Sequence, residues 1–140
     1  MDYEVTTENL SGRVTSLGSA SGHTVIIDRP TAGGGGGLGF NGAELMHLAV
    51  AGCVSNDLFR EASALGIRLD RVRISAWGEF AGDPPVSTGV TYTIEIGGEA
   101  TEEQLRALVA RVDAIAEIPN CLRRGTPVKL GRVVTVASGS

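Results

Sequence analysis

The sequence predicts an α+β domain of mostly antiparallel strands, in the order β-β-β-α-β-β-α-β. Three observations lead there. Short segments rich in β-branched residues fill the first thirty positions and recur at 71–77 and 90–96. Two long segments open on N-capping signals and carry apolar residues at helical spacing. Clusters of Gly and Pro separate these segments. At 140 residues the chain suits a single domain, 1–140, and neither a repeat nor a linker divides it.

Each element has its own signal. Tyr3 to Thr7 holds strand formers, Gly12 to Leu17 alternates in part, and Gly18 and Gly22 read as turns. His23 to Asp28 is a stronger strand, ended by Pro30. The five glycines Gly33 to Gly37 match neither GxGxxG nor GxxxxGK[ST], so they read as a mobile loop rather than a phosphate cradle. Asn41 and Glu44 make a capping box for a helix running to about Leu65, closed by Gly66. Met46, Ala49, Val50, Cys53 and Leu58 fall near one face of it.

Arg71 to Trp77 and Val90 to Ile96 alternate as strands around the turn Gly82-Asp83-Pro84-Pro85. Thr101 and Gln104 form a second capping box, and Leu105, Leu108, Val109, Val112 and Ile115 make an apolar stripe behind it. Pro119 interrupts this helix, and Cys121 opens a short turn through Gly125. A last strand is expected from Lys129 to Ala137, followed by a frayed tail, Ser138-Gly139-Ser140.

Composition narrows the function classes. Only 4% of residues are aromatic, so the core must be built from Val, Ile, Leu and Ala. The formal net charge of −4 leaves no basic stripe for phosphates and argues against a nucleic-acid partner. No apolar run has the length of a membrane span, and the N-terminus lacks the pattern of a secretory signal. The expected compartment is the cytosol, where thiols stay mainly reduced and a catalytic disulfide is favoured over a permanent one.

The chain has two cysteines and no CxxC. Far apart in sequence, they form one redox pair only if the fold brings them together. Two readings stand for Cys53: a small hydrophobe in the packed face of a helix, or a reactive thiol in an electropositive, accessible setting. Cys121, with Arg123 and Arg124 close behind, has the more reactive surroundings. Candidate cations for a thiolate are Arg13, Arg29, Arg123 and Arg124. Glu44 has the competing role of the capping-box acid. Glu44 and His47 share a helix face, yet with Cys53 and His23 they match no zinc spacing, so no metal is expected. A GxSxG elbow is absent.

Gly33-Gly34, then Gly39-Phe40-Asn41-Gly42-Ala43-Glu44-Leu45-Met46, then Ala51-Gly52-Cys53, together with Cys121 and the element order, resemble the osmotically induced protein C and organic hydroperoxide resistance (OsmC/Ohr) superfamily over essentially the whole chain. The resemblance implies an intertwined homodimer with two long central helices and two active sites at the subunit interface. It implies cofactor-free chemistry in which Cys53 attacks an organic hydroperoxide and becomes a sulfenic acid, Cys121 resolves it as a disulfide, and a dithiol reductant restores both thiols. It assigns support of the thiolate to an arginine of the N-terminal strands, best matched by Arg13.

The chain also departs from the hydroperoxide branch. That branch has a proline and then an arginine-holding glutamate where this chain has Gly42 and Ala43; Glu44 instead matches a less characterised OsmC-like branch. The usual Cys-Pro-Val-Ser is Cys121-Leu122-Arg123-Arg124. The expected function is thus a thiol peroxidase using Cys53, Cys121, Arg13 and Glu44. Its rival is a small-ligand-binding or sulfur-handling protein on the same scaffold.

Overall fold

A computed structural model describes residues 1–138; Gly139 and Ser140 of the expected tail lie outside them. The chain runs β1 (Thr6–Asn9), β2 (Ser16–Ala20), β3 (His23–Ile27), α1 (Gly42–Ala64), β4 (Leu69–Ala81), β5 (Val86–Gly98), α2 (Glu102–Ile115) and α3 (Glu117–Arg123). The α+β class holds, with two antiparallel sheets, β1-β2-β3 and β4-β5.

Both capping boxes form. Asn41 Oδ1 accepts from the Glu44 N–H at 2.8 Å, and the Asn41 N–H donates to Glu44 Oε1 at 3.0 Å. Thr101 and Gln104 repeat the exchange at the start of α2. Helix α1 stops at Gly66, whose φ of 69° is open to glycine at little cost. Its N–H reaches the Ser63 carbonyl at 3.1 Å and that of Ile67 reaches the Ala62 carbonyl at 2.9 Å, which satisfies the last turn.

Helix α1 lies on β4 and packs against α2. Val54, Leu58 and Ala62 meet Leu108, Val112 and Ala116 in a fully buried cluster, and Val72, Ile74, Ile94 and Ile96 of the β4–β5 hairpin pack beneath it. The Arg111 guanidinium on α2 donates to Glu61 on α1 at 2.8 Å, and this hydrogen bond holds the Glu61 carboxyl below its ordinary range. On α1, Ala49 is exposed; the packed face is instead Val50, Val54, Asp57, Leu58 and Ala62.

The glycine loop has a specific anchor. Asp28, almost fully buried, accepts from the Thr15 hydroxyl at 2.8 Å and from the N–H groups of Arg29 at 2.7 Å, Gly36 at 3.1 Å and Leu38 at 3.2 Å. Burial opposes its ionisation, but these donors prevail and hold its carboxyl below the ordinary range. The loop is therefore tied to the end of β3 rather than left free. A Cβ at Gly35 would overlap the Arg29 carbonyl oxygen, and one at Gly36 would lie 2.9 Å from Asp28 Oδ2. The loop delivers Phe40 to a parallel bridge with Ile27 and sets Asn41 at the start of α1.

Several sequence expectations need correction. Gly18 lies inside β2, paired with Val25, not in a turn. Arg13 lies in the β1–β2 turn, where its N–H meets the Leu10 carbonyl at 2.8 Å, because β2 begins later than the alternation suggests. Cys121 lies within α3 rather than opening a turn. Pro119 is tolerated in the first turn of α3, where an N–H has no intrahelical acceptor to lose.

The largest correction concerns Lys129 to Ala137, which forms no strand. Its β-branched residues favour extended backbone, but a strand exists only against a partner edge. The segment instead exposes Leu130, Val133, Val134 and Val136, and Val128 just before it is exposed as well. The β1-β2-β3 sheet is similarly short of partners: it leaves Leu17 and Ile26 exposed, and among the described residues no helix packs on it as closely as α1 packs on β4.

The anchored loop predicts that Gly35→Ala destabilises the protein by about 1–3 kcal/mol, the usual scale of overpacking against backbone. Gly33→Ala, whose Cβ would first meet Pro30 at 3.8 Å, should be nearly neutral. Urea unfolding of the two variants checks this; equal losses would contradict it.

Candidate active site

Cys53 lies one helical turn after Val50 and is half-buried against the α1–α2 core. Its sulfur accepts from the Ile118 N–H of α3 at 3.5 Å. That donor sits in the first turn of α3, where Ala116, the residue at the cap position, offers no side-chain acceptor. Cys121 lies one turn further along α3, exposed, and both thiols are free. The fold thus sets the two cysteines on packed neighbouring elements, with the Cys53 sulfur against the helix that carries Cys121.

Helix α3 is held by a cluster that the sequence reading missed. Tyr92 on β5 donates to Asp113 on α2, and Arg123 at the end of α3 meets the same carboxylate oxygen at 2.7 Å. Arg123 also donates to the Asp113 carbonyl at 2.8 Å and to Asn120 Oδ1 at 2.9 Å. Burial, then the Asp113 hydrogen bond, push the Tyr92 phenol up to about 12. The hydrogen bonds from Tyr92 and Arg123 hold the Asp113 carboxyl below its ordinary range, and Arg123 is held protonated more firmly than usual by Asp113. The only trace in the sequence was an acid near the end of one helix and an arginine just beyond a proline break.

A cavity of about 380 Å³ lies between α1, β5 and α3, bounded by Met46, Val50, Tyr92, Pro119, Leu122 and Arg123. Its lining includes Leu122, next to Cys121, and Val50, one turn before Cys53, though neither cysteine lines it. On the other side of α1, a groove of about 470 Å³ carries Phe40, Glu44, His47, Trp77 and Phe80.

The remaining sequence candidates are dispersed. Glu44 spends its carboxylate on the capping box, half a turn around α1 from Cys53. Among the described residues the Arg13 side chain has neither an ion-pair nor a hydrogen-bond partner. Arg29 flanks Asp28, donating its N–H to that carboxylate, and Arg124 follows α3. Asp57, one turn beyond Cys53, is buried and pairs with Arg60 at 3.0 Å, leaving Oδ2 unpartnered among the described residues. Among the described residues no group of three or more metal-capable side chains occurs, and none of their helices is long and apolar enough to cross a membrane.

Comparison with known proteins agrees with this architecture. The profile of the OsmC-like protein family matches residues 34–131. The chain therefore belongs to the OsmC-like protein family. An OsmC-like protein from Mycoplasma pneumoniae shares the fold at 16% identity, with a TM-score of 0.75 over 88% of each chain. The organic hydroperoxide resistance protein OhrB of Bacillus subtilis matches at 20% identity and a TM-score of 0.63, over 88% of this chain and 91% of its own. An OsmC-like protein of unknown function from Vibrio cholerae matches at 10% identity and a TM-score of 0.66, over 86% of this chain and 92% of its own. No curated protein sequence matches the chain.

The cluster around Asp113 predicts a pH signature. A raised phenol pKa gives stability that is complete below the ordinary value of 10.0 and lost as pH rises through about 12. The depressed Asp113 carboxyl gives stability present above its ordinary 3.8 and lost as pH falls through its lower folded value. Ultraviolet titration should show one of the two tyrosines ionising near 12, and Tyr92→Phe should remove that step and flatten the loss of stability above pH 10. A Tyr92 phenol ionising near the ordinary 10.0 in the wild type would contradict the cluster.

Proposed function

We propose that the protein is a cysteine-based thiol peroxidase that reduces organic hydroperoxides, acting in the cytoplasm as a homodimer without a cofactor. The observation that carries this reading is the Cys53 sulfur seated against the helix that bears Cys121. Family membership, with relatives that include organic hydroperoxide resistance proteins, supports it.

In the proposed cycle the Cys53 thiolate attacks the terminal peroxide oxygen. The O–O bond breaks, the alkoxide leaves and takes a proton as alcohol, and Cys53 becomes a sulfenic acid. The Cys121 thiol then attacks that sulfur and water leaves, forming the disulfide. An external dithiol returns both thiols by exchange. Arg13 is proposed as the cation that supports the thiolate in the assembled dimer. Glu44 contributes through the cap that fixes the start of α1.

The dimer rests on unpaired surface. The β1-β2-β3 sheet and the segment from Val128 to Val136 both expose apolar, strand-forming residues within one chain. A second copy can cover both. Sedimentation should give twice the chain mass at micromolar concentration, and a single-chain mass would contradict it.

A second reading, a small-ligand-binding or sulfur-handling protein, draws on two features. Ala43 stands where the hydroperoxide branch has its arginine-holding glutamate, and Phe40, Trp77 and Phe80 line a groove that Cys53 does not line. Mutant kinetics separate the readings. With cumene hydroperoxide and a dithiol, Cys53→Ser should lower turnover by at least roughly 10³-fold. Cys121→Ser should complete one turnover and stall. Undiminished turnover in Cys53→Ser would sink the peroxidase reading.

A further inference from the structure

We infer that the Tyr92–Asp113–Arg123 cluster is a latch that holds α3 in place and so limits how fast Cys121 can reach Cys53. The inference rests on the redox-pair reading above and adds to it a step that the protein itself controls.

The geometry is that of a short helix pinned near both ends. In its first turn the Ile118 N–H rests on the Cys53 sulfur. In its last, Arg123 grips the Asp113 carboxylate at 2.7 Å and the Asp113 carbonyl at 2.8 Å, while the Asn120 side chain donates to the Ala114 carbonyl at 3.0 Å. Tyr92 fixes the same carboxylate from β5. Seven residues make about two turns, too few for a helix to be stable alone, so the position of α3 depends on these contacts and on buried Pro119.

Between the pins, Cys121 is exposed while Cys53 is half-buried beneath α3. A disulfide needs Cα atoms roughly 4.4–6.8 Å apart and Cβ atoms turned toward each other. To bring the exposed Cys121 onto the half-buried Cys53, α3 turns or lifts in this inference. That motion pulls the Arg123 guanidinium off Asp113. The latch therefore lies on the path of the resolving step and not on that of peroxide attack at Cys53. Arg123 and Asp113 are positioning residues, since neither touches a reacting atom.

The test closes the pair without a peroxide. Diamide takes two electrons and two protons from the two thiols and becomes the corresponding hydrazine, leaving the disulfide. Dilute reduced full-length protein is mixed with diamide, and the intramolecular Cys53–Cys121 bond is followed by intact mass and peptide mapping. Asp113→Asn and Arg123→Gln should form it roughly fivefold faster, the scale of one charge-assisted hydrogen bond at a half-exposed site. Arg123→Lys should fall between Arg123→Gln and the wild type. Arg111→Gln breaks the separate α2–α1 pair with Glu61 and should leave the rate unchanged.

Equal rates in wild type, Asp113→Asn and Arg123→Gln would overturn the latch, as would slower closure in either variant or equal acceleration in Arg111→Gln. If no variant closes an intramolecular disulfide, the redox pair itself fails and the latch with it. If diamide closes the pair at latch-dependent rates while cumene hydroperoxide does not, the peroxidase reading fails and the latch stands.

Discussion

The packing of α1 against α2 across the β4–β5 hairpin is the constraint on which the rest of the structure depends. Val54, Leu58 and Ala62 on one helix and Leu108 and Val112 on the other leave almost no surface in solvent. That contact fixes the azimuth of α1 and so turns Cys53 inward rather than outward. It also places the C-terminal end of α2 where the chain can break at Ala116 and lay α3 over the Cys53 sulfur. A core this poor in aromatics depends on close fit among small and branched side chains, where each lost methylene is felt.

Polar groups then fix what the apolar core only approximates. Asp28 gathers a hydroxyl and three backbone N–H groups and so shapes the loop that delivers Asn41 to the start of α1. Asp113 performs the corresponding task at the other end, joining β5, α2 and α3 through Tyr92 and Arg123. Both are single carboxylates whose acceptor capacity is matched to several donors, and both have carboxyls held below the ordinary range for that reason. One sets the N-terminal end of the helix that bears Cys53; the other sets the helix that bears Cys121.

Local signals in the sequence were enough where the physics is local. Asn41 with Glu44 and Thr101 with Gln104 gave both helix starts, since a capping box involves only four consecutive residues. The alternation around Ile74 and Ile94 gave the long hairpin, and Gly66 gave the end of α1. Signals failed where the partner is distant. Asp28 looked like the last residue of a strand, and nothing nearby announced that the glycines would fold onto it. Tyr92, Asp113 and Arg123 come from three elements, so no spacing could reveal them. Lys129 to Ala137 has the composition of a strand, but composition cannot supply the edge it needs. For the candidate site, family resemblance alone assigned Cys53 and Cys121 paired roles, and the local signal at Glu44 was that of its cap.

The central claim is that Cys53 and Cys121 act as one redox pair toward an organic hydroperoxide. Intact-protein mass after one equivalent of cumene hydroperoxide is added to the reduced protein, with free thiols counted by alkylation, tests it most directly. The account predicts rapid loss of both thiols and a mass lower by two hydrogens. Two thiols that remain alkylatable, with the mass unchanged, would contradict it.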